Sequence, residues 1–203
     1  MQDSPEDSVR QWRRLLELQR AVLPERCAAI LPGATPAQLQ AVEQVFGFAL
    51  PQAYKAVLRE SAGGMPLPDM IDLERSLEDW AMWVNIAAES DDDDDAINPD
   101  RLPEMKMRGA YCHARLISLC TESGHGQPML DMSPGPAGRT GQVISISHGN
   151  GMSWHAWSLA EYLKSFADAI EEGRVKHQNK DRGWVDAKHS TYVYSSFFHP
   201  SEQ

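Results

Sequence analysis

No run of this sequence approaches the roughly 20 apolar residues that a membrane-spanning helix needs, so no membrane contact is expected. The first residues, MQDSPEDSVRQWRR, hold acids and arginines where a secretory leader would have an apolar stretch. A cytoplasmic location is therefore the expectation. Cysteine is scarce: Cys27, Cys112 and Cys120 are the chain's 3, an odd number without C-x-x-C spacing. Reduced thiols are expected at all of them. Cations are short as well, 19 Lys and Arg against 29 Asp and Glu, for a formal net charge of −10. Nonspecific nucleic-acid binding draws on Lys and Arg to neutralise phosphates, so this balance argues against it. The same charge favours a basic protein partner, because opposite fields speed encounter. Good solubility alone is the plainer reading of that charge. Catalytic signatures are also missing: there is no nucleophile elbow, no H-E-x-x-H and no carboxylate pair.

What is present begins with length and texture. The chain's 203 residues suffice for one good core and are few for two. Residues 35–64, TPAQLQAVEQVFGFALPQAYKAVLRESAGG, read as two helices joined by a tight link. Thr35 is a good N-cap, Pro36 suits the first helical position, and Gln38 completes a capping box. Leu39, Val42 and Phe46 recur at helical spacing, with Ala41 and Val45 widening the stripe. Gly47 is placed to end that helix left-handed. Pro51 restarts a helix over 52–62 whose buried face holds Tyr54, Val57 and Leu58, and Gly63 with Gly64 stops it.

Before this block, residues 5–23 form an amphipathic helix with Val9, Trp12, Leu15, Leu16, Leu18 and Val22 as its stripe. Arg10, Arg13, Arg14 and Glu17 face out, and a short helical piece begins at Pro24. Helical spacing returns over 71–88, where Leu73, Leu77, Trp80 and Val84 share a side beside Trp83. From about residue 111 the texture changes. ARLISLC, PMLDMS, QVISISH and SWHAW are short strand-like runs separated by Gly- and Pro-rich turns. Connections this short permit an antiparallel meander and not parallel crossovers. Ser158 caps a last helix over 159–172, and Gly173 ends it. The remaining tail is polar and then aromatic, with Trp184, Tyr192, Tyr194, Phe197 and Phe198, which argues against simple disorder.

Two blocks carry a family resemblance. Glu43, Gly47, Leu50, Pro51, Tyr54, Gly63 and Gly64 resemble the opening of the SUKH superfamily, named partly for fungal cell-wall-synthesis regulators of the Smi/Knr type. Downstream, Ile117 and Leu119, Gly124 and Gly126, Leu130 with Asp131, and Gly141-Gln142-Val143 resemble that family's strand region. The resemblance implies an α+β fold, an antiparallel or mixed sheet flanked by helices. It divides the chain into an N-terminal helical extension over 1–34, a SUKH-like domain over 35–173 and a tail over 174–203. It also implies a binding role. Bacterial members resemble immunity proteins that neutralise toxins, and fungal members resemble regulatory hubs of wall synthesis. The expected function is a non-catalytic protein-binding module of the immunity type, partnered by a basic toxin domain and needing no cofactor. A regulatory adaptor is the alternative, followed by an enzyme without a recognisable motif.

Candidate sites are weighed against simpler roles. Asp91, Asp92, Asp93, Asp94 and Asp95 form an acidic run that fits a basic partner or a solvated loop; it lacks the alternating spacing of a calcium loop. Cys112, His113, Cys120 and His125 lack the frame of a zinc site. The segment from Gly135 to Gly141, with Arg139, is a strand connection better than a phosphate cradle, because no helix follows it. Trp83 and Trp154 are candidate partner anchors, with core packing as the plainer reading. Asp131, a lone carboxylate, is expected to accept hydrogen bonds from a nearby loop. If an enzyme were hidden here, His125, His148 or His155 would carry it.

Overall fold

Four antiparallel strands, β1 (Leu116–Ser118), β2 (Gln127–Asp131), β3 (Gln142–Ser147) and β4 (Gly151–Ala156), pair in chain order in a computed structural model of the chain. The structure describes residues 4–28, 30–63, 72–89, 107, 114–120, 127–147, 151–179 and 183–188. The expected meander is thus present, antiparallel at every pairing of these strands. Register sorts its side chains into rows. Ile117, Leu130, Val143 and Ala156 stand opposite one another on one face. Ser118, Met129, Ile144 and Trp154 form the adjacent row on the other face.

Each face meets its own core. The first row joins Leu39, Val42, Tyr54, Leu58, Tyr162 and Phe166. On the second face Leu116, Met129, Ile144, Ile146 and Met152 pack with Trp83 and Met107. Helices supply both covers: α1 (Pro5–Arg20), α2 (Pro24–Ala28), α3 (Pro36–Phe46), α4 (Gln52–Glu60), α5 (Leu73–Glu89) and α6 (Leu159–Glu171). The structure is therefore α+β, with helices flanking the sheet.

The helix ends follow local chemistry. Thr35 Oγ1 accepts from the Gln38 N–H at 3.3 Å, and Gln38 Oε1 accepts from the Thr35 N–H at 2.9 Å, closing the capping box. Gly47 ends α3 at φ +72°, a left-handed conformation that costs a residue with a Cβ more. The tight link after it is held by Glu43, whose Oε1 accepts from the Leu50 N–H at 2.8 Å and from Lys55 Nζ at 2.9 Å. The Lys55 hydrogen bond, with that of Leu50, holds the Glu43 carboxyl below its ordinary range. α4 stops two residues short of the expected 62, because Ser61 turns to extended backbone. Ser61 Oγ then donates to the Gly63 carbonyl at 2.7 Å. Asp72 crosses so close that a Cβ on Gly63 would stand 2.2 Å from the Asp72 Cα. That close approach fixes glycine there.

One expectation needs correction and one element is new. The inward face of α1 holds Trp12 and Leu15 as expected, with Leu16 and Leu18 partly packed on the core, but it is wider than the apolar stripe, since Ser8, Gln11 and Gln19 are buried too, and Val22 lies beyond the helix and is 47% exposed. The reason is that α1 is gripped from two sides. Arg13 makes a paired hydrogen bond to Glu60 of α4 at 2.9 and 2.8 Å, and Arg14 ion-pairs with Asp168 and Glu171 of α6 at 2.8 and 2.6 Å. Arg14 therefore points into a helix interface and not to open solvent. The segment just after Gly173 is ordered, in line with its aromatic Trp184, and the hairpin it forms is not among the expected elements. A hairpin, β5 (Val175–Asn179) with β6 (Gly183–Asp186), returns Val175 and Trp184 to the main core, with Trp184 edge-on to Phe166 at 6.0 Å. Its polar strand sequence hides it, because only scattered positions face inward.

Two outcomes follow. Leu15 is fully buried, so Leu15→Ala should destabilise the whole protein by roughly 2–5 kcal/mol in urea unfolding, with one cooperative transition. A loss below about 1 kcal/mol would make α1 an appendage. Glu43→Gln should cost about 1 kcal/mol at neutral pH. The native carboxyl is depressed, so its contribution is complete above the unfolded glutamate pKa of about 4.3 and disappears as pH falls through the lower folded value. The stability gap between native protein and variant, followed by thermal melting against pH, should close on that acid limb.

Candidate partner-binding surface

The two sequence blocks meet in space at the start of β3. A Cβ built on Gly141, where φ is +84°, would lie 3.6 Å from the Pro51 ring of the α3–α4 link. Beside it Asp131 organises the β2–β3 connection. Its Oδ1 accepts from the Ser133 N–H at 2.9 Å, and its Oδ2 accepts from Gln142 Nε2 at 3.1 Å. Gln142 Oε1 accepts in turn from the Arg139 N–H at 3.1 Å. The Gly138 and Gly141 N–H groups donate to the Gly135 and Asp131 carbonyls. These donors are spent inside the loop, the arrangement of a strand connection and not of an anion cradle. Asp131 and Gln142 are both fully buried, and so are Leu50 and Tyr54 within a few per cent.

A polar line under the sheet has no counterpart in the sequence reading. α5 turns Ser76, Asp79 and Trp83 inward, one helical face at spacings of 3 and 4. Ser76 Oγ donates to the Ser118 carbonyl at 3.0 Å. Gln127, at the first position of β2, is completely buried. Its Nε2 donates to Asp79 Oδ2 at 2.7 Å and to the Cys120 carbonyl at 3.0 Å, and its Oε1 accepts from Trp83 Nε1 at 2.7 Å. Burial pushes the Asp79 carboxyl above its ordinary range, against Arg75 at 3.0 Å and Gln127, which favour its charged form. Burial likewise raises the Tyr54 phenol. Serine and aspartate at helical spacing beside tryptophan were the available signal. Local sequence gives these polar residues no inward place, because their partners lie more than forty residues away.

Trp83 is thus placed inside the smaller core at 2% exposure, its ring packed and its N–H bonded to Gln127. Trp154 sits differently. A β-bulge between Val143 and Ile144 aligns Trp154 with Ile144, while His155 turns to the opposite face. There His155 Nε2 lies 2.8 Å from Ser145 Oγ, and the ring meets Tyr162 edge-on. Trp154 remains partly exposed and packs edge-on against Trp157 at 4.9 Å. The exposed Arg139 places its guanidinium 4.5 Å from the Trp157 ring centroid. Two indoles and a guanidinium therefore form one amphipathic cluster at the end of edge strand β4.

Gly64, Asp91, Asp92, Asp93, Asp94, Asp95, Cys112, His113, His125 and His148 lie outside the described residues, as do the tail aromatics beyond 188. Cys27 and Cys120 are buried and not disulfide-bonded. Among the described residues no three His, Cys, Asp or Glu side chains converge as metal ligands, and no described helix is long and apolar enough to cross a membrane.

Comparison with known proteins gives this geometry a family. The profile of the SMI1 / KNR4 family (SUKH-1) matches residues 33–172. A glucan synthesis regulatory protein of Neurospora crassa is 23% identical over 203 aligned residues, covering 80% of this chain and 38% of that protein. A cell wall biosynthesis/cell cycle regulator, smi1, of Schizosaccharomyces pombe is 25% identical over 181 aligned residues, covering 80% of this chain and 36% of that protein. The chain thus spans well under half the length of these fungal relatives. The matched segment runs from the α3–α4 pair through the meander to the end of α6, most of the chain, and the protein accordingly belongs to the SMI1 / KNR4 family (SUKH-1).

Proposed function

We propose that this chain is a non-catalytic protein-binding module that acts by capturing a basic protein partner, in the manner of an immunity protein against a toxin domain. The observation that carries the reading is the Trp154, Trp157 and Arg139 cluster. Tryptophan and arginine are the residue types that most often supply the strongest contacts of an interface. Trp154 also has a firm backing, since it packs on the core that contains Ile144 and Met152. An anchor held by a core loses little side-chain freedom on binding. The net charge of −10, with the run Asp91, Asp92, Asp93, Asp94 and Asp95, supports a basic partner. The motif residues Glu43, Asp131 and Gln142 are assigned to holding the fold, because their polar atoms are spent on internal hydrogen bonds.

The names of the two fungal relatives favour a second reading, a regulatory adaptor of wall synthesis. Both readings require binding without turnover, and they differ in what the partner does. In the immunity reading, expressing this chain rescues cells from a toxic effector domain encoded beside it, and titration of that domain ends at one-to-one stoichiometry. In the adaptor reading the partner is not toxic and binding alters its localisation or activity. Turnover of many substrate molecules per protein, lost on replacing His155 by Gln, would overturn both.

The electrostatic part is separable from the anchor. Changing the five aspartates at 91–95 to Asn should slow association and flatten its salt dependence, with little change in dissociation. Trp154→Ala should act on dissociation, at a cost of about 2 kcal/mol, in a variant whose melting transition stays cooperative. Surface-plasmon kinetics at several salt concentrations read both. An association rate and salt slope unmoved by the five changes would place the docking surface elsewhere.

A further inference from the structure

A different surface, far from the edge cluster in sequence, runs against the charge of the chain. The N-terminal half of α1 and the C-terminal half of α4 flank an open groove of about 520 Å³ lined by Pro5, Glu6, Val9, Arg10, Arg13, Ala56 and Arg59. Its lining holds three guanidinium groups against one carboxylate, on a molecule of net charge −10. Pro5, Val9 and Ala56 supply an apolar floor between them. The groove also opens at the start of α1, where the helix macrodipole is positive.

The three arginines are not equally engaged. Arg13 is held across the groove by its paired hydrogen bond to Glu60, a rung that fixes the spacing of the two helices. Arg10 meets Asp7 at 2.7 Å in an exposed pair one turn apart on the same helix. Exposed pairs of that kind contribute little, so Arg10 can turn to a better ligand at small cost. Arg59 makes no ion pair within 4 Å among the described residues, and its engagement there is a longer-range attraction that helps hold the Glu43 carboxyl low. Glu6 is occupied at the helix start, where its Oε2 accepts from Ser4 Oγ at 2.8 Å. The groove therefore offers two available guanidinium groups on opposite walls over an apolar floor.

We infer that the α1–α4 groove, with Arg10 and Arg59 on its walls and Val9 and Ala56 on its floor, binds an acidic amphipathic segment of a partner protein. Carboxylates of the segment meet the two arginines, and guanidinium groups suit them because their fork matches a carboxylate in two hydrogen bonds. Apolar side chains of the same segment cover the floor. An isolated small anion would leave that floor wet, and a basic segment would meet like charge. This surface is independent of the edge cluster, so a partner can engage either one alone.

The test uses the full chain and a short fluorescein-labelled peptide built of Glu, Leu and Ala, with its Leu residues on one helical face. Fluorescence anisotropy should report saturable binding that weakens as salt rises. The double variant Arg10→Glu/Arg59→Glu should weaken it by roughly tenfold or more, the effect of opposing like charges. Arg20→Glu, on the same helix but outside the groove, should leave it unchanged. A peptide with Lys in place of Glu should not bind. Absence of binding, equal loss in the Arg20 variant, or equal binding of the Lys peptide would each overturn the inference. So would full displacement of the peptide by sulfate at equal charge, which marks a simple anion site. Dimerisation of the chain that Arg59→Glu abolishes, without peptide binding, would make a second copy the occupant and overturn it equally. Should the double variant melt early, Arg59→Gln is scored by the same anisotropy criteria.

Discussion

A sheet buried on both faces is the constraint on which the other features depend. All five residues of β2 are buried, so neither face of this strand can be left to water. A four-stranded meander exposed on one side would need only one apolar row. Here the Ile117, Leu130, Val143 and Ala156 row demands the helical layer of α3, α4 and α6. The Met129 and Ile144 row demands a second cover, supplied by Trp83 and Ile86 of α5. The chain must therefore pass from one side of the sheet to the other before its first strand begins.

That crossing explains the polar residues inside. Where α5 meets the sheet, strand carbonyls end without a neighbouring strand, and buried acceptors need donors. Ser76 serves the Ser118 carbonyl and Gln127 serves the Cys120 carbonyl. Gln127 also joins Asp79 to Trp83, so one amide ties the helix to the strand at two points. Apolar packing alone would permit α5 to slide along the sheet. Directional hydrogen bonds of this kind fix one position, which is how the smaller core acquires a unique arrangement.

Charge is distributed unevenly over this frame. Three cations are used between helices: Arg13 with Glu60, Arg14 with Asp168 and Glu171, and Lys55 with Glu43. These pairs join α1, α4 and α6 around the main core and clamp the α3–α4 link. The acids that remain give the molecule its negative field, while the groove beside Arg13 keeps a local excess of positive charge. Long-range attraction and local recognition can thus have opposite signs on one small protein, because salt screens the first over about 8 Å and the second acts within contact distance.

Local sequence was sufficient wherever a signal is completed within a few residues. The Thr35 capping box, the Gly47 turn, the strand order and the Ser158 cap of α6 were all legible because each partner lies close in the chain. The family blocks were legible for the same reason, as strings of turn, cap and strand residues. Tertiary structure alone decided that Ser8, Gln11 and Gln19 join the buried face of α1, that Trp83 belongs to a core while Trp154 stays partly exposed, and that Val175 and Trp184 return to the domain as a hairpin. It also decided the Asp79, Gln127 and Trp83 line and the arginine groove, whose members come from separate elements. Periodicity reports that a helix has a preferred face, but burial depends on how many neighbours grip it. Polar groups can enter a core only when distant partners satisfy them, and those partners exist only once the chain has folded.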